Sequence, residues 1–184
     1  MTISSDTALR SAPTLETERL VLRAFQYADL DAHAATLGDP EVMRHLGGEP
    51  TSRENAWRKL MMAVGQWPLL GIGYWAVETK GDGRLVGQAG LCDFERGLDP
   101  DISGLPEMGW IFDRSVHGKG IAGEACRAVL DWADRTLAPS PIWSIISPDN
   151  LPSIKLAERL GFERVTVSDY HGEPIAVFQR PAQT

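Results

Sequence analysis

The chain has 184 residues, 43% hydrophobic and 23% charged, with 25 acidic against 18 basic residues and a net charge of -7. This length makes one domain the default and lets roughly 70% of the unfolded-state surface be buried, so no metal or disulfide is needed to hold a core. The composition excludes a disordered or fibrous chain, and the negative charge argues against nucleic acid as a main partner while favouring a cationic one.

No stretch approaches the ~18 consecutive apolar residues of a membrane span, and Met1–Leu20 lacks the apolar run of a secretory signal. Two cysteines, Cys92 and Cys126, are too few for a disulfide framework or a zinc site. No membrane association, no metal and a cytoplasmic location are therefore expected.

Residues 1–14 are polar and aperiodic and read as a flexible arm, leaving 15–184 as the domain. Arg19–Phe25 alternates as a first strand. Asp29 caps a helix running to Leu37, stopped by Gly38-Asp39-Pro40, and Met43–Thr51 reads as a loop. A second helix begins at Ser52 and stops near Trp67-Pro68. Gly73–Glu78 and Arg84–Phe94 read as strands joined through Lys80-Gly-Asp-Gly83, a hairpin signal. A Gly/Pro/Asp-rich loop, Glu95–Pro106, precedes a fourth strand, Glu107–Phe112. A long helix from Gly120 carries an apolar stripe of Ile121, Ala125, Ala128, Val129, Trp132 and Ala133. Ile142–Ile146 is a short buried-type strand. The next helix has Pro152 in its first turn and ends at Gly161-Phe162, and two strands, Arg164–Asp169 and Ile175–Gln179, finish the chain. The order β-α-α-β-β-β-α-β-α-β-β predicts a mixed α/β single domain.

The segment Ile111–Gly123 is a strand end, a glycine turn and a helix start. Gly118, Gly120 and Gly123 allow an anion to approach the backbone, and free amides and the helix dipole favour negative charge there. It is neither the phosphate loop of nucleotide-binding folds nor the three-glycine dinucleotide fingerprint. About 30 residues later, Asn150 and Ser153 open a helix, where both fit the pattern of helix capping.

Together the two segments resemble the GNAT superfamily of acyl-CoA-dependent N-acetyltransferases. The family pattern Gln/Arg-x-x-Gly-x-Gly/Ala corresponds to His117-Gly-Lys-Gly120-Ile-Ala122, and Asn-x-x-Ser/Ala followed by Gly-Phe corresponds to Asn150, Ser153 and Gly161-Phe162. Thr17–Arg23 and Glu107–Trp110 look like the Rim-type branch, which acetylates ribosomal-protein N-termini. The resemblance covers residues ~15–181 and implies a mostly antiparallel central sheet flanked by helices. Two departures stand out. His117 replaces the usual Arg or Gln, so the charge at that contact depends on pH. Ala157 stands where many members carry a catalytic Tyr.

The resemblance implies acetyl-CoA as co-substrate. Its pyrophosphate would lie on amides of His117, Gly118, Lys119, Gly120, Ile121, Ala122 and Gly123, with Asn150 nearby. The pantetheine would run along the fourth strand, bonded by the backbone of Ile111 and Phe112, with a backbone N–H near Ile111 polarising the thioester. Glu107 is the family-compatible general base, set against the reading of a solvent-facing strand glutamate, and Ser153 is the candidate proton donor to the sulfur. His33, His45 and His171 read as surface or loop residues, the cysteines as inert, and Trp67 and Trp110 as possible borders of a substrate cleft. The acceptor is a primary amine on a peptide N-terminus or a small molecule, with a non-catalytic acyl-CoA sensor as the alternative. Monomer and homodimer are equally compatible with the pattern.

Overall fold

The computed structural model describes residues 11–183. Most of the expected flexible arm, residues 1–10, lies outside them; Ala12 is buried in the main core and the Trp75 indole N–H donates to the Pro13 carbonyl at 2.6 Å, so the packed chain starts before Leu15.

Eight strands form one sheet: β1 (Leu15–Glu16), β2 (Leu20–Arg23), β3 (Tyr74–Thr79), β4 (Leu85–Cys92), β5 (Glu107–Phe112), β6 (Ile142–Ile146), β7 (Glu163–Tyr170) and β8 (Glu173–Arg180), ordered β1-β2-β3-β4-β5-β6-β8-β7. Every pairing is antiparallel except β5 with β6, as the mixed, mostly antiparallel expectation requires. Among the described residues five α-helices complete the fold: α1 (Leu30–Leu37), α2 (Pro40–Met43), α3 (Arg53–Leu70), α4 (Ile121–Thr136) and α5 (Leu151–Arg159).

Alternation along each strand assigns the two sheet faces. Leu20, Leu22, Trp75, Val77, Ala89, Leu91, Met108 and Phe112 meet the α4 stripe of Ile121, Ala125, Val129 and Ala133 and the α5 residues Leu156, Ala157 and Leu160. On the other face, Tyr74, Ala76 and Cys92 meet Leu30 of α1 and Leu60 and Ala63 of α3. Trp67 stacks edge-on with Trp75 and, with it, against Trp132, at centroid distances of 4.5–5.6 Å. Each such pair is worth about 0.5–1.5 kcal/mol beyond buried area. Trp67 is thus core rather than cleft.

Local chemistry sets the helix ends. Ser52 caps α3 through the Asn55 N–H. The helix runs through Pro68 to Leu70, further than expected, although Pro68 has no N–H to give the Val64 carbonyl, and Gly71 (φ +72) ends it. Met43, expected in a loop, closes the short α2 that Asp39 caps. Gly161 ends α5 at φ +86, with Phe162 buried behind it and its N–H donating to the Ala157 carbonyl.

Candidate active site

β5 and β6 part company almost at once. Their register is the single pair Glu107 and Trp143, fixed by the Trp143 N–H donating to the Pro106 carbonyl at 2.9 Å, after which β6 follows β8 along its whole length. Among the described residues the edge of β5 beyond Glu107 therefore has no strand opposite it. Parity decides which backbone groups line that edge. Asp113 N–H donates to the Val86 carbonyl, so the facing pair Gly87–Phe112 is the non-hydrogen-bonded kind. Glu107, Gly109 and Ile111 then direct their backbone groups to β4, whereas Met108, Trp110 and Phe112 direct theirs to the gap. This corrects the expectation for Ile111: its N–H and C=O are committed to Gln88, and its side chain packs beside Leu37, Met43 and Ala56. Trp110, with Phe112, has the outward-facing groups.

At the C-terminal end of β5 the chain makes a tight turn, Arg114–Val116, capped by Asp113, and then passes through Gly118 (φ +72) and Gly120 (φ +77) into α4. Both glycines sit in the left-handed region, which other residues occupy at a cost of roughly 1–2 kcal/mol. Gly120 is the N-cap and has no side chain to satisfy the first-turn amides of Ile121, Ala122 and Gly123. The His117 Nε2–H donates to the Phe112 carbonyl at 2.9 Å.

A clamp from the start of the domain holds this turn. Glu124 accepts from Thr17 Oγ1–H (2.5 Å), Arg19 N–H (2.9 Å) and Arg19 Nε–H (2.6 Å), while Arg19 Nη1 donates to the Lys119 carbonyl at 2.9 Å. Burial would raise the Glu124 carboxyl, and the Thr17 and Arg19 hydrogen bonds more than offset it, holding the group below its ordinary range. A turn with both glycines pre-set loses less entropy when a ligand arrives.

The far wall is α5. Asn150 Oδ1 accepts from the Ser153 N–H at 3.2 Å, which is the capping role, and Ser153 sits half-buried in the first turn. Because β5 and β6 run parallel, α4 and α5 start at the same end of the gap. The two helices come close there: a Cβ added at Gly123 would meet Leu156 Cδ1 at 3.6 Å.

Glu107 does not face solvent. It is 4% exposed, on the face opposite α4, and both oxygens are taken by Arg96: Nε–H donates to Oε2 at 2.6 Å and Nη2–H to Oε1 at 2.9 Å. Burial pushes this carboxyl above its ordinary range, with Asp93 adding to the effect and Arg96 opposing it. Two residues along β5, Gly109 leaves room for the buried Tyr74 ring; a Cβ there would sit 2.0 Å from the Tyr74 hydroxyl. Arg96 and Tyr170 were not anticipated from sequence, because a lone Arg in a Gly/Pro/Asp-rich loop carries no periodic signal.

The other singled-out residues take structural places. Cys92 and Cys126 are both buried, and burial pushes the Cys92 thiol up to about 12 and Cys126 higher still. His33, expected at the surface, is 5% exposed, and burial, helped by Lys59, drives it down to about 4. His45 and His171 lie in turns as expected. Among the described residues no cluster of three or more His, Cys, Asp or Glu forms a metal site, and no helix is long and apolar enough to cross a membrane.

A free strand edge that ends in a glycine-flanked helix start without a side-chain cap is the arrangement that the resemblance to acetyltransferases implies. The chain belongs to the GNAT acetyltransferases: the family model for the acetyltransferase (GNAT) domain matches residues 19–163. It is 30% identical over 152 residues to the uncharacterized N-acetyltransferase p20 of Bacillus licheniformis, covering 82% of this chain and 83% of p20. The crystal structure of an acetyltransferase from Agrobacterium tumefaciens superposes with a TM-score of 0.78 at 30% identity, over 92% of this chain and 94% of the other. RimL, the ribosomal L7/L12 alpha-N-protein acetyltransferase, shares the fold at a TM-score of 0.73 and 16% identity, over 92% and 94% of the two chains.

Proposed function

We propose that the enzyme uses acetyl-CoA and passes the acetyl group directly to a primary amine, on a peptide N-terminus or a small molecule. The observation that carries this reading is the outward-facing backbone of Trp110 and Phe112, leading straight to the free amides of α4. A pantetheine arm is an extended chain with amide groups and suits a strand edge; a pyrophosphate suits the amides and dipole of a helix start. His117, Gly118, Lys119, Gly120, Ile121, Ala122 and Gly123 would hold the phosphates and Asn150 would shape the far wall. Acetyl-CoA supplies an activated thioester carbonyl. The Trp110 and Phe112 amides are the candidates to polarise it.

Glu107 is the base. It accepts a proton from the acceptor nitrogen, directly or through a water, while that nitrogen bonds to the carbonyl carbon and the C–S bond breaks. Ser153 Oγ–H, or a water it holds, protonates the departing sulfur and regains its proton from solvent, so coenzyme A leaves as the thiol and Glu107 releases the acceptor's proton to solvent. Burial makes the Glu107 carboxylate a better proton acceptor as long as the group stays ionised. The buried, protonated state of Cys92 and Cys126 supports transfer without an acyl-cysteine intermediate.

The acceptor is cationic on this reading. Asp99, Asp101, Asp169 and Glu173 are exposed around the loop before β5 and the β7–β8 hairpin, and they add to the net charge of -7. Such a field concentrates an approaching ammonium and is screened by salt. The test is thiol release from acetyl-CoA with N-terminal peptides, polyamines and aminoglycosides, and with a matched pair of one cationic and one neutral amine, at low and high salt. Preferred use of the cationic acceptor with kcat/KM falling as salt rises supports the reading. Preference for the neutral partner at both salts removes the electrostatic argument, and binding without thiol release for any amine would leave an acyl-CoA sensor.

A further inference from the structure

We infer that Arg96 is a positioning residue for Glu107: its guanidinium, fixed between two aromatic rings, keeps the carboxylate ionised inside the fold. The inference rests on the reading of Glu107 as base, and concerns what makes that base available.

The geometry is that of a built device rather than a chance ion pair. Arg96 meets Glu107 with two parallel bonds of 2.6 and 2.9 Å, the fork geometry that suits a carboxylate. Its Nη1–H donates to the Tyr170 hydroxyl at 2.6 Å, so all three guanidinium nitrogens are engaged. The guanidinium carbon lies 4.5 Å from the centre of the Phe94 ring and 5.0 Å from that of Tyr170. The side chains of Arg96 and Glu107 are only 18% and 6% exposed. A surface pair of this kind would contribute little; a buried one leaves a stranded charge when either partner is removed.

Arg96 also joins three separate parts of the chain. It stands in the loop after β4, its partner Glu107 opens β5, and Tyr170 ends β7 at the C-terminal hairpin. The Arg96 carbonyl accepts from the Leu98 N–H and the Ser103 hydroxyl, so the loop is folded around it. The remaining ionisable neighbours of Glu107 are Asp93, beyond β4, which adds negative charge; Tyr74 on β3 and Cys92 on β4, both held neutral by burial; and Tyr170, on β7. Arg96 is the cation among them. Burial alone would favour the protonated acid, which cannot accept a proton, and Arg96 is what opposes it.

The experiment uses the full chain. The Glu107 carboxyl is titrated by carbon-13 NMR and kcat/KM is measured against pH for wild type, Arg96→Met, Arg96→Lys and Tyr170→Phe. Arg96→Met is expected to move both the Glu107 titration and the acid limb of kcat/KM upward by about 1–2 pH units. Activity should return toward wild type at alkaline pH, and Arg96→Lys should recover most of the shift. Tyr170→Phe, which keeps the ring but loses the hydroxyl, should move the limb less. If Arg96→Met does not fold, Arg96→Lys and Tyr170→Phe carry the comparison through smaller shifts in the same direction. An unmoved Glu107 titration in a folded Arg96 variant overturns the inference, as does activity lost equally at every pH, because Arg96 then only braces the loop. Full activity of Glu107→Gln would instead remove the base reading, which separates the two failures.

Discussion

The His117 ring folds back onto its own strand, its Nε2–H donating to the Phe112 carbonyl at 2.9 Å. That carbonyl is one of the two nearest the turn that face the gap between β5 and β6, so the residue replacing the family's Arg or Gln braces the strand edge. A carbonyl has a second lone pair, and a pantetheine amide can share it. His117→Ala is expected to weaken acetyl-CoA by about 2–10-fold, the worth of one hydrogen bond, with kcat kept; titration calorimetry and saturation kinetics check this.

Gly120 combines φ +77 with the N-cap of α4. A valine there is strained whatever space it finds, and pushes the Arg19 guanidinium that lies 3.5 Å from the new Cβ. Gly120→Val should abolish the rise in melting temperature that acetyl-CoA gives the wild type. Undiminished affinity in the folded variant contradicts the assignment of this turn to phosphate.

His33 links stability to pH. Burial holds it neutral down to about 4, against an ordinary 6.5, and its Nε2 has no partner among the described residues. Between those values the unfolded chain binds a proton that the folded chain refuses, so stability falls as pH drops from 6.5 toward 4 and levels off below. The loss is at most about 3 kcal/mol. His33→Leu should flatten this window in urea melts at pH 7 and 5, at little cost at pH 7, since no hydrogen bond of that nitrogen is lost.

Cys92→Ala with Cys126→Ala should retain most kcat, and initial-rate plots at varied substrate pairs should intersect. Acetyl-cysteine trapped on either residue would point to a covalent route.

Much of this was legible because the period is written in the residues. The bounds of β5 and β6 match their apolar runs, the α4 stripe is the buried face, and Gly161-Phe162 ends α5 as its pattern requires. The paired motifs also led to the family. What escaped depends on neighbours. Which of Ile111 and Trp110 faces the gap is set by register with β4, a parity that no single strand encodes. Glu107 is met by Arg96 eleven residues earlier, which Tyr170 on the C-terminal hairpin holds in turn, contacts made through an aperiodic loop. His33 lies among polar and small residues on α1, and only the packing of that helix against the sheet encloses it.

The account turns on Glu107 as the group that takes the acceptor's proton, and kcat of Glu107→Gln tests it most directly. The amide keeps the shape but cannot serve as a base, so the measurement is made across pH on folded protein whose acetyl-CoA affinity has been verified. Some stability is lost because Arg96 is left without its charge partner. The account predicts a fall in kcat of about 100-fold or more at pH values above the wild type's acid limb, with acetyl-CoA binding intact. A variant that turns over at the wild-type rate throughout the pH range would contradict it.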